Sequence, residues 1–289
     1  MKPLTVTGLR YFPRRRQTLP GFSLSLGLTL LWTGLLVVLP LTALLLRPWQ
    51  HGLGPMIHAL HDVRMYAALR VSFICAFLAV LIDLPIGLLL AWTLVRYRPP
   101  GHRAVDALID LPFAIPTAVT GIALATLYGP GGWIGAPAGK LGLKLAFSPA
   151  GIVIALTFIG LPFIVRSVEP VLRSFPKDVE EAAFLLGASG WQRFCRILLP
   201  ALAPPLLSGA GLAFARGIGE YGSVIFIAGN QPFHSEVAPL LIVMRLQEFN
   251  YDGATSIALI LLVTALLCLI AVSHLRRSVS SGLVREDGA

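Results

Sequence analysis

Asp178-Val179-Glu180-Glu181-Ala182-Ala183-Phe184-Leu185-Leu186-Gly187, followed after nine residues by Ile197-Leu198-Leu199-Pro200, lies in a polar island between two apolar runs. The stretch reads as two short helices joined at a glycine. Asp178, Glu180 and Glu181 crowd the first turn of the first helix, where negative charge opposes the positive end of the helix dipole, and Pro176 suits a helix start. Gly187 is expected to end that helix, because glycine adopts the left-handed cap conformation without steric cost. Ser189 and Gln192 form a capping box for a second helix, predicted to run to Leu199 and to stop at Pro200. Ala182 and Ala183 leave one face nearly flat, so a groove of another protein can close on the backbone while the acids flank the contact. The island is therefore a docking elbow.

Working outward, the chain has 289 residues, of which 56% are hydrophobic and 13% charged, with a mean hydropathy of +0.78. That is too apolar for a soluble domain of this size, and a polytopic all-α membrane protein is expected. The net charge of +9 does not point to nucleic acid, because the basic residues punctuate the ends of apolar runs and do not form one patch. Cys75, Cys195 and Cys268 have no ligand-type spacing, so neither a disulfide framework nor a metal site follows, and no cofactor is expected.

Six transmembrane helices are predicted, each long enough for a hydrocarbon layer that needs ~20 helical residues. The first covers 21–46 after a basic N-terminal tail, 1–20. Its apolar run is too long for a signal peptide and lacks a small-residue cleavage site. A polar connection from Arg47 to Tyr66 leads to a second span, Ala67 to Val95, interrupted by Asp83 and Pro85. The third, Ala104 to Tyr128, contains Pro112 and Pro116 and is expected to be kinked or unwound. After a loop from Gly129 to Ser148, the fourth covers Pro149 to Ser167. Beyond the elbow come a fifth span, Ala201 to Ala228, a polar loop, and a sixth, Gly253 to Ser273.

Six spans place both termini on one side. Fifteen lysines and arginines fall on that side against five, Arg47, Arg64, Lys140, Lys144 and Arg245, on the other. The positive-inside rule puts the termini and the elbow in the cytoplasm, where ATP is.

A phosphate-cradling loop needs Gly, four residues, then Gly-Lys-Ser/Thr, and Gly135-Ala136-Pro137-Ala138-Gly139-Lys140-Leu141 has the wrong spacing and no hydroxyl. The chain is expected to be no enzyme, and any ATP must be hydrolysed by a partner. Arg216 and Glu220 lie four apart in the fifth span and can neutralise each other or reach Asp83; they are either a structural brace or part of an anion pathway. Arg70, near the outer end of its span, reads as a snorkelling side chain. Small residues from Ser208 to Gly222 suit the fifth span to close helix packing.

The Glu-Ala-Ala, Gly, Ile-Xaa-Leu-Pro pattern resembles the cytoplasmic EAA loop of permease subunits in bacterial ABC importers. Gly219-Glu220-Tyr221-Gly222-Ser223-Val224-Ile225-Phe226-Ile227-Ala228-Gly229-Asn230 and Asp110-Leu111-Pro112-Phe113-Ala114-Ile115-Pro116-Thr117-Ala118-Val119 are similar to the T-type permeases of sulfate/thiosulfate importers. So are Phe158-Ile159-Gly160-Leu161-Pro162-Phe163 and Ala238-Pro239-Leu240-Leu241-Ile242-Val243. The resemblance implies a type I ABC importer permease fold, with a transmembrane domain over 67–275, a coupling loop over 171–200, a cytoplasmic tail over 276–289 and the first span at its edge. It further implies a bacterial inner-membrane location, a W-type permease mate, two copies of a cytoplasmic ATP-binding subunit and a periplasmic sulfate/thiosulfate-binding protein. Glu180, Glu181, Ala182, Ala183, Gly187, Ile197, Leu199 and Pro200 become the ATPase-coupling residues, and Arg216, Glu220, Tyr221 and Ser223 the pathway candidates. Molybdate-type permeases share the elbow and the Gly-Glu-aromatic-Gly stretch, so a molybdate or tungstate importer is the alternative. An ATP-independent channel or secondary transporter is the alternative of another class.

Overall fold

A computed structural model describes residues 21–286 apart from 50, 51, 53 and 98. The expected N-terminal tail, Arg98 of the basic turn and the last residues of the C-terminal tail lie outside the described residues. In chain order the helices are α1 (Phe22–Leu46), α2 (Gly54–His61), α3 (Val63–Tyr97), α4 (His102–Ile109), α5 (Leu111–Ala114), α6 (Thr117–Tyr128) and α7 (Gly135–Lys140). They continue with α8 (Pro149–Ser174), α9 (Lys177–Leu185), α10 (Gly190–Ile218), α11 (Val224–Ile227), α12 (Ala238–Gln247) and α13 (Tyr251–Glu286).

Among the described residues, five helices are long and apolar enough to cross a membrane: α1, α3, α8, α10 and the Tyr251–His274 part of α13. The third expected span is built differently. Pro116 leaves Ile115 extended at φ −89°, ψ 134°, because the residue before a proline is pushed out of the helical region, and this parts α5 from α6, while α4 and α5 are parted at Asp110.

Several sequence-based boundaries need correction. The second span is not interrupted at Asp83 and Pro85, and α3 begins at Val63, inside the supposed polar connection, where the Asp62 side chain accepts the Arg64 N–H at 2.8 Å and caps it. The second elbow helix does not stop at Pro200: it runs into the fifth span as one helix, Gly190–Ile218. A wide turn over Phe194–Leu198, with the Leu199 N–H bonded to the Phe194 carbonyl, shifts the ladder just where Pro200 has no N–H to offer. The expected fifth span also ends early, at Ile218, with a turn before α11. Part of the polar loop after it is α12, capped by a backbone N–H of Ala238 that donates to Ser72 Oγ at 2.8 Å.

The core is the three-helix junction of α3, α8 and α10. α3 and α8 run parallel, Gly87 facing Ile164 one turn beyond Gly160 facing Asp83, and α10 returns antiparallel to both. In lipid the helices gain nothing from excluding water from their sides, so close packing must hold them. Glycines provide it: a Cβ at Gly87 would sit 2.6 Å from the Ile164 side chain, and one at Gly209 would sit 2.8 Å from the Phe163 carbonyl. One cluster, including Ile164, Val168, Leu172, Leu198 and Leu202, fills the elbow end of the junction. A second around Ile152, Leu156 and Ile218 fills its middle, and a third around Met65, Leu241 and Ile257 joins α12 and α13 to the far end. α1 has no buried residue; near its C-terminal end it meets α13, and just beyond it Arg47 lies 5.4 Å over the Tyr251 ring.

Candidate functional site

α9 ends as its sequence demands. Gly187 has φ +83°, its N–H bonds the Phe184 carbonyl at 2.9 Å and the Ala188 N–H bonds the Ala183 carbonyl at 3.0 Å, which is a Schellman cap. Ser189 and Gln192 make both bonds of the capping box, at 3.2 and 2.8 Å, and start α10. The elbow between them is bolted to the C-terminal end of α3. Arg96 of α3 pairs with Glu180 and lies 5.9 Å over Trp92, which meets Phe194 edge-on at 6.1 Å. Phe194 stacks on Trp191 at 5.7 Å, and Arg193 covers Phe184 at 5.3 Å.

What the elbow leaves free is apolar. Leu185 is 84% exposed and Leu186 88%, with Trp191 and Phe184 also exposed, and Glu181, Ala182 and Gly187 lie on the same open surface. Glu180 is instead tied to Arg96, Ala183 is half-buried, and Ile197, Leu199 and Pro200 are half-buried on the elbow end of α10. The eight sequence-derived coupling residues thus divide into a surface group and a group that fixes the elbow to the bundle. Phe184, Leu185, Leu186 and Trp191 were not singled out; an apolar run at the end of an otherwise charged helix was the available signal.

Deeper in the bundle, Glu220 is 2% exposed and fully engaged. Arg216 pairs with it at 2.5 Å, and its Oε1 accepts the N–H and the hydroxyl of Ser223, each at 3.0 Å. The turn from Gly219 to Ser223 is folded around that carboxylate. It packs backbone to backbone on α6: a Cβ at Gly121 would lie 2.4 Å from the Ser223 carbonyl oxygen. Of the four pathway candidates, Arg216 and Tyr221 are half-buried and Glu220 and Ser223 enclosed; the Arg216 side chain is 39% exposed, and Tyr221 packs on the Cys75 and Ile152 cluster. Arg216 does not reach Asp83 by any described ion pair.

Two further charge groups escaped the sequence reading. At the elbow end Arg166 holds Asp106 at 2.8 Å, Asp110 at 2.6 Å and Glu169 at 2.7 Å, and Glu169 also pairs with Arg173. This ties the first piece of the broken span to α8. At the opposite end Arg64 makes a two-pronged contact with buried Glu236, at 2.8 and 2.7 Å, and Arg245 reaches Asp62 at 3.0 Å. The i, i+4 spacing of Asp106 and Asp110 and the i, i+3, i+7 spacing of Arg166, Glu169 and Arg173 were readable as helix faces, but their mutual contact needed the fold.

The described residues thus form a bundle of apolar helices with an exposed elbow. The chain belongs to the family of binding-protein-dependent transport system inner membrane components, whose family model matches residues 83–282. It is 44% identical over 261 residues, 90% of this chain and 94% of the relative, to the sulfate transport system permease protein CysT of Escherichia coli (strain K12). It is 42% identical over 249 residues to the protein of that name from Synechocystis sp., covering 86% of this chain and 87% of the relative. Among solved structures, a bacterial alginate ABC transporter in complex with a pentasaccharide-bound periplasmic protein superposes with a TM-score of 0.74 at 20% identity, covering 89% of this chain and 94% of that one. An inward-facing MetNI methionine ABC transporter gives 0.56 at 21% identity, over 74% and 94% of the two chains. The chain is thus a non-catalytic permease component of a multi-pass membrane assembly, and of the expected fold its all-helical character, five long apolar helices and likeness to importer permeases are borne out.

Proposed function

We propose that this chain is the permease subunit through which sulfate is carried inward by an ATP-driven importer, with thiosulfate as a second cargo. The observation that carries the reading is the elbow: an exposed apolar knob in which Phe184, Leu185 and Leu186 close α9 and Trp191 opens α10, the helix that runs on to the centre of the bundle. A force applied to that knob reaches the core along α10. The relatives' names supply the cargo, and a doubly charged oxyanion needs such a path because its desolvation in hydrocarbon is prohibitive. In this reading the broken segment α4 to α6 is a sixth crossing, residues 67–275 form the transport domain, and both termini and the elbow face the cytoplasm. The partners are two copies of an ATPase, a W-type permease and a periplasmic binding protein. Arg216, held by Glu220, offers its exposed face to the anion, while Tyr221 and Ser223 shape the turn behind it.

The test is a pair of substitutions on the open elbow, Leu186→Asp and Glu181→Lys, in cells that depend on this importer. Sulfate uptake and binding-protein-stimulated ATP hydrolysis are expected to fall together while the amount of membrane-inserted protein is unchanged. Uptake at the wild-type rate in both variants would overturn the coupling role.

A further inference from the structure

Asp83 is the one carboxylate-bearing residue at the heart of the three-helix junction, and it is 0% exposed. Neither of its oxygens has a hydrogen-bond partner among the described residues. The carboxyl group presses on α8: a Cβ added to Gly160 would fall 2.3 Å from Oδ2 and 3.4 Å from the Ala213 methyl of α10. Among the described residues no cation pairs with it. On α3 the residues from 76 to 90 carry no other charge, on α8 the nearest charged residue is Arg166 and on α10 it is Arg216. Arg166 is engaged with Asp106, Asp110 and Glu169, and Arg216 with Glu220. The titratable Cys75 lies two turns up α3.

A carboxylate accepts several hydrogen bonds, and the backbone N–H groups of three packed helices are already committed to their own ladders. Burying an unpaired charge there is far more costly than burying the neutral acid, which asks for only one acceptor. Thr157, one turn from Gly160 on α8, also has a buried hydroxyl oxygen without a partner among the described residues.

We propose that Asp83 is a proton-binding site: it holds its proton in the folded, membrane-embedded protein, and the neutral carboxyl group seats α3 against Gly160 and Ala213. Loss of that proton places a bare charge at the junction that joins α10, and hence the elbow, to the rest of the bundle. Proton occupancy and closure of the junction are then one equilibrium. The inference does not depend on which oxyanion is carried or on whether the elbow meets an ATPase.

The decisive measurement is infrared difference spectroscopy of the assembled complex in lipid nanodiscs, wild type minus Asp83→Asn. A protonated-carboxyl C=O band is expected in the wild type and is absent from Asp83→Asn and from Asp83→Ser, a smaller neutral variant that cannot misfit. Asp83→Asn should keep sulfate uptake, because the amide replaces the neutral acid at nearly equal size. The sign of the pH effect follows from linkage: a group protonated in the folded state and ionised in the unfolded one makes stability fall as pH rises. The wild-type unfolding midpoint, taken relative to Asp83→Asn, should therefore fall as the pH is raised. A missing band, or a midpoint difference that does not change with pH, overturns the proposal.

Discussion

Gly187 and Gly121 are constrained for opposite reasons. Gly187 lies in open space at φ +83°, so what it tolerates is set by its own backbone. A β-branched side chain there costs about 1–2 kcal/mol in the left-handed region. Gly187→Val should loosen the elbow and lower uptake and coupled ATP hydrolysis severalfold, while the unfolding midpoint of the bundle stays near that of the wild type. Gly121 has ordinary dihedral angles, but an added Cβ would meet the Ser223 carbonyl oxygen at 2.4 Å and its Cα at 2.7 Å, both backbone atoms that cannot swing aside. Gly121→Ala is expected to destabilise the folded protein by about 1–3 kcal/mol, as overpacking does. Gly131→Ala, with nothing within 4 Å, should stay within about 0.5 kcal/mol, and equal thermal shifts for the two would refute the assignment. The first constraint is visible in sequence, since a glycine after a helix of charged and small residues signals a cap. The second is not, because a glycine at a helix crossing looks like any other until the partner backbone is known.

At the level of elements, α9 and α10 are two arms with different attachments. α10 is covalently continuous with the core, whereas α9 is held through Arg96–Glu180 and the aromatic contacts of Trp92, Phe194 and Trp191. Both charged side chains of that pair are partly buried, 14% and 18% exposed, so the pair is shielded from full solvent screening. Glu180→Arg alone should uncouple transport, and the swap Arg96→Glu with Glu180→Arg should restore much of it. A double-mutant cycle on stability is expected to give a coupling of about 0.5–3 kcal/mol; additive losses would show that the ion pair does not hold the arm. The cap and the capping box of these arms could be read residue by residue. The run of α10 through Pro200 could not, because proline reads as a stop in water, while in a membrane helix a widened turn and neighbouring helices absorb its missing donor. α12 was hidden for a related reason: ten residues are too few to signal a span, and its cap, Ser72, lies 166 positions away.

For the whole molecule, one geometric fact decides whether the elbow can serve a motor. α8 has 26 residues and so spans about 39 Å, with the Trp133 segment before its first turn and the elbow after its last. The two therefore lie at opposite ends of the bundle, and their assignment to sides rests on fifteen basic residues against five. Composition and charge carried that much without any coordinates, whereas the ion clusters that fasten the ends, Arg166 with its three acids and Arg64 with Glu236, arise only when distant segments meet. The side assignment is open to direct test. In a chain whose native cysteines are replaced, Leu186→Cys and Trp133→Cys put single thiols at positions 88% and 91% exposed. A membrane-impermeant maleimide should label Trp133→Cys in intact spheroplasts and leave Leu186→Cys untouched, and inverted vesicles should reverse the pattern. Were Leu186→Cys to react first from outside, no cytoplasmic ATPase could grip the knob it belongs to, and α10 would have no driver at that end.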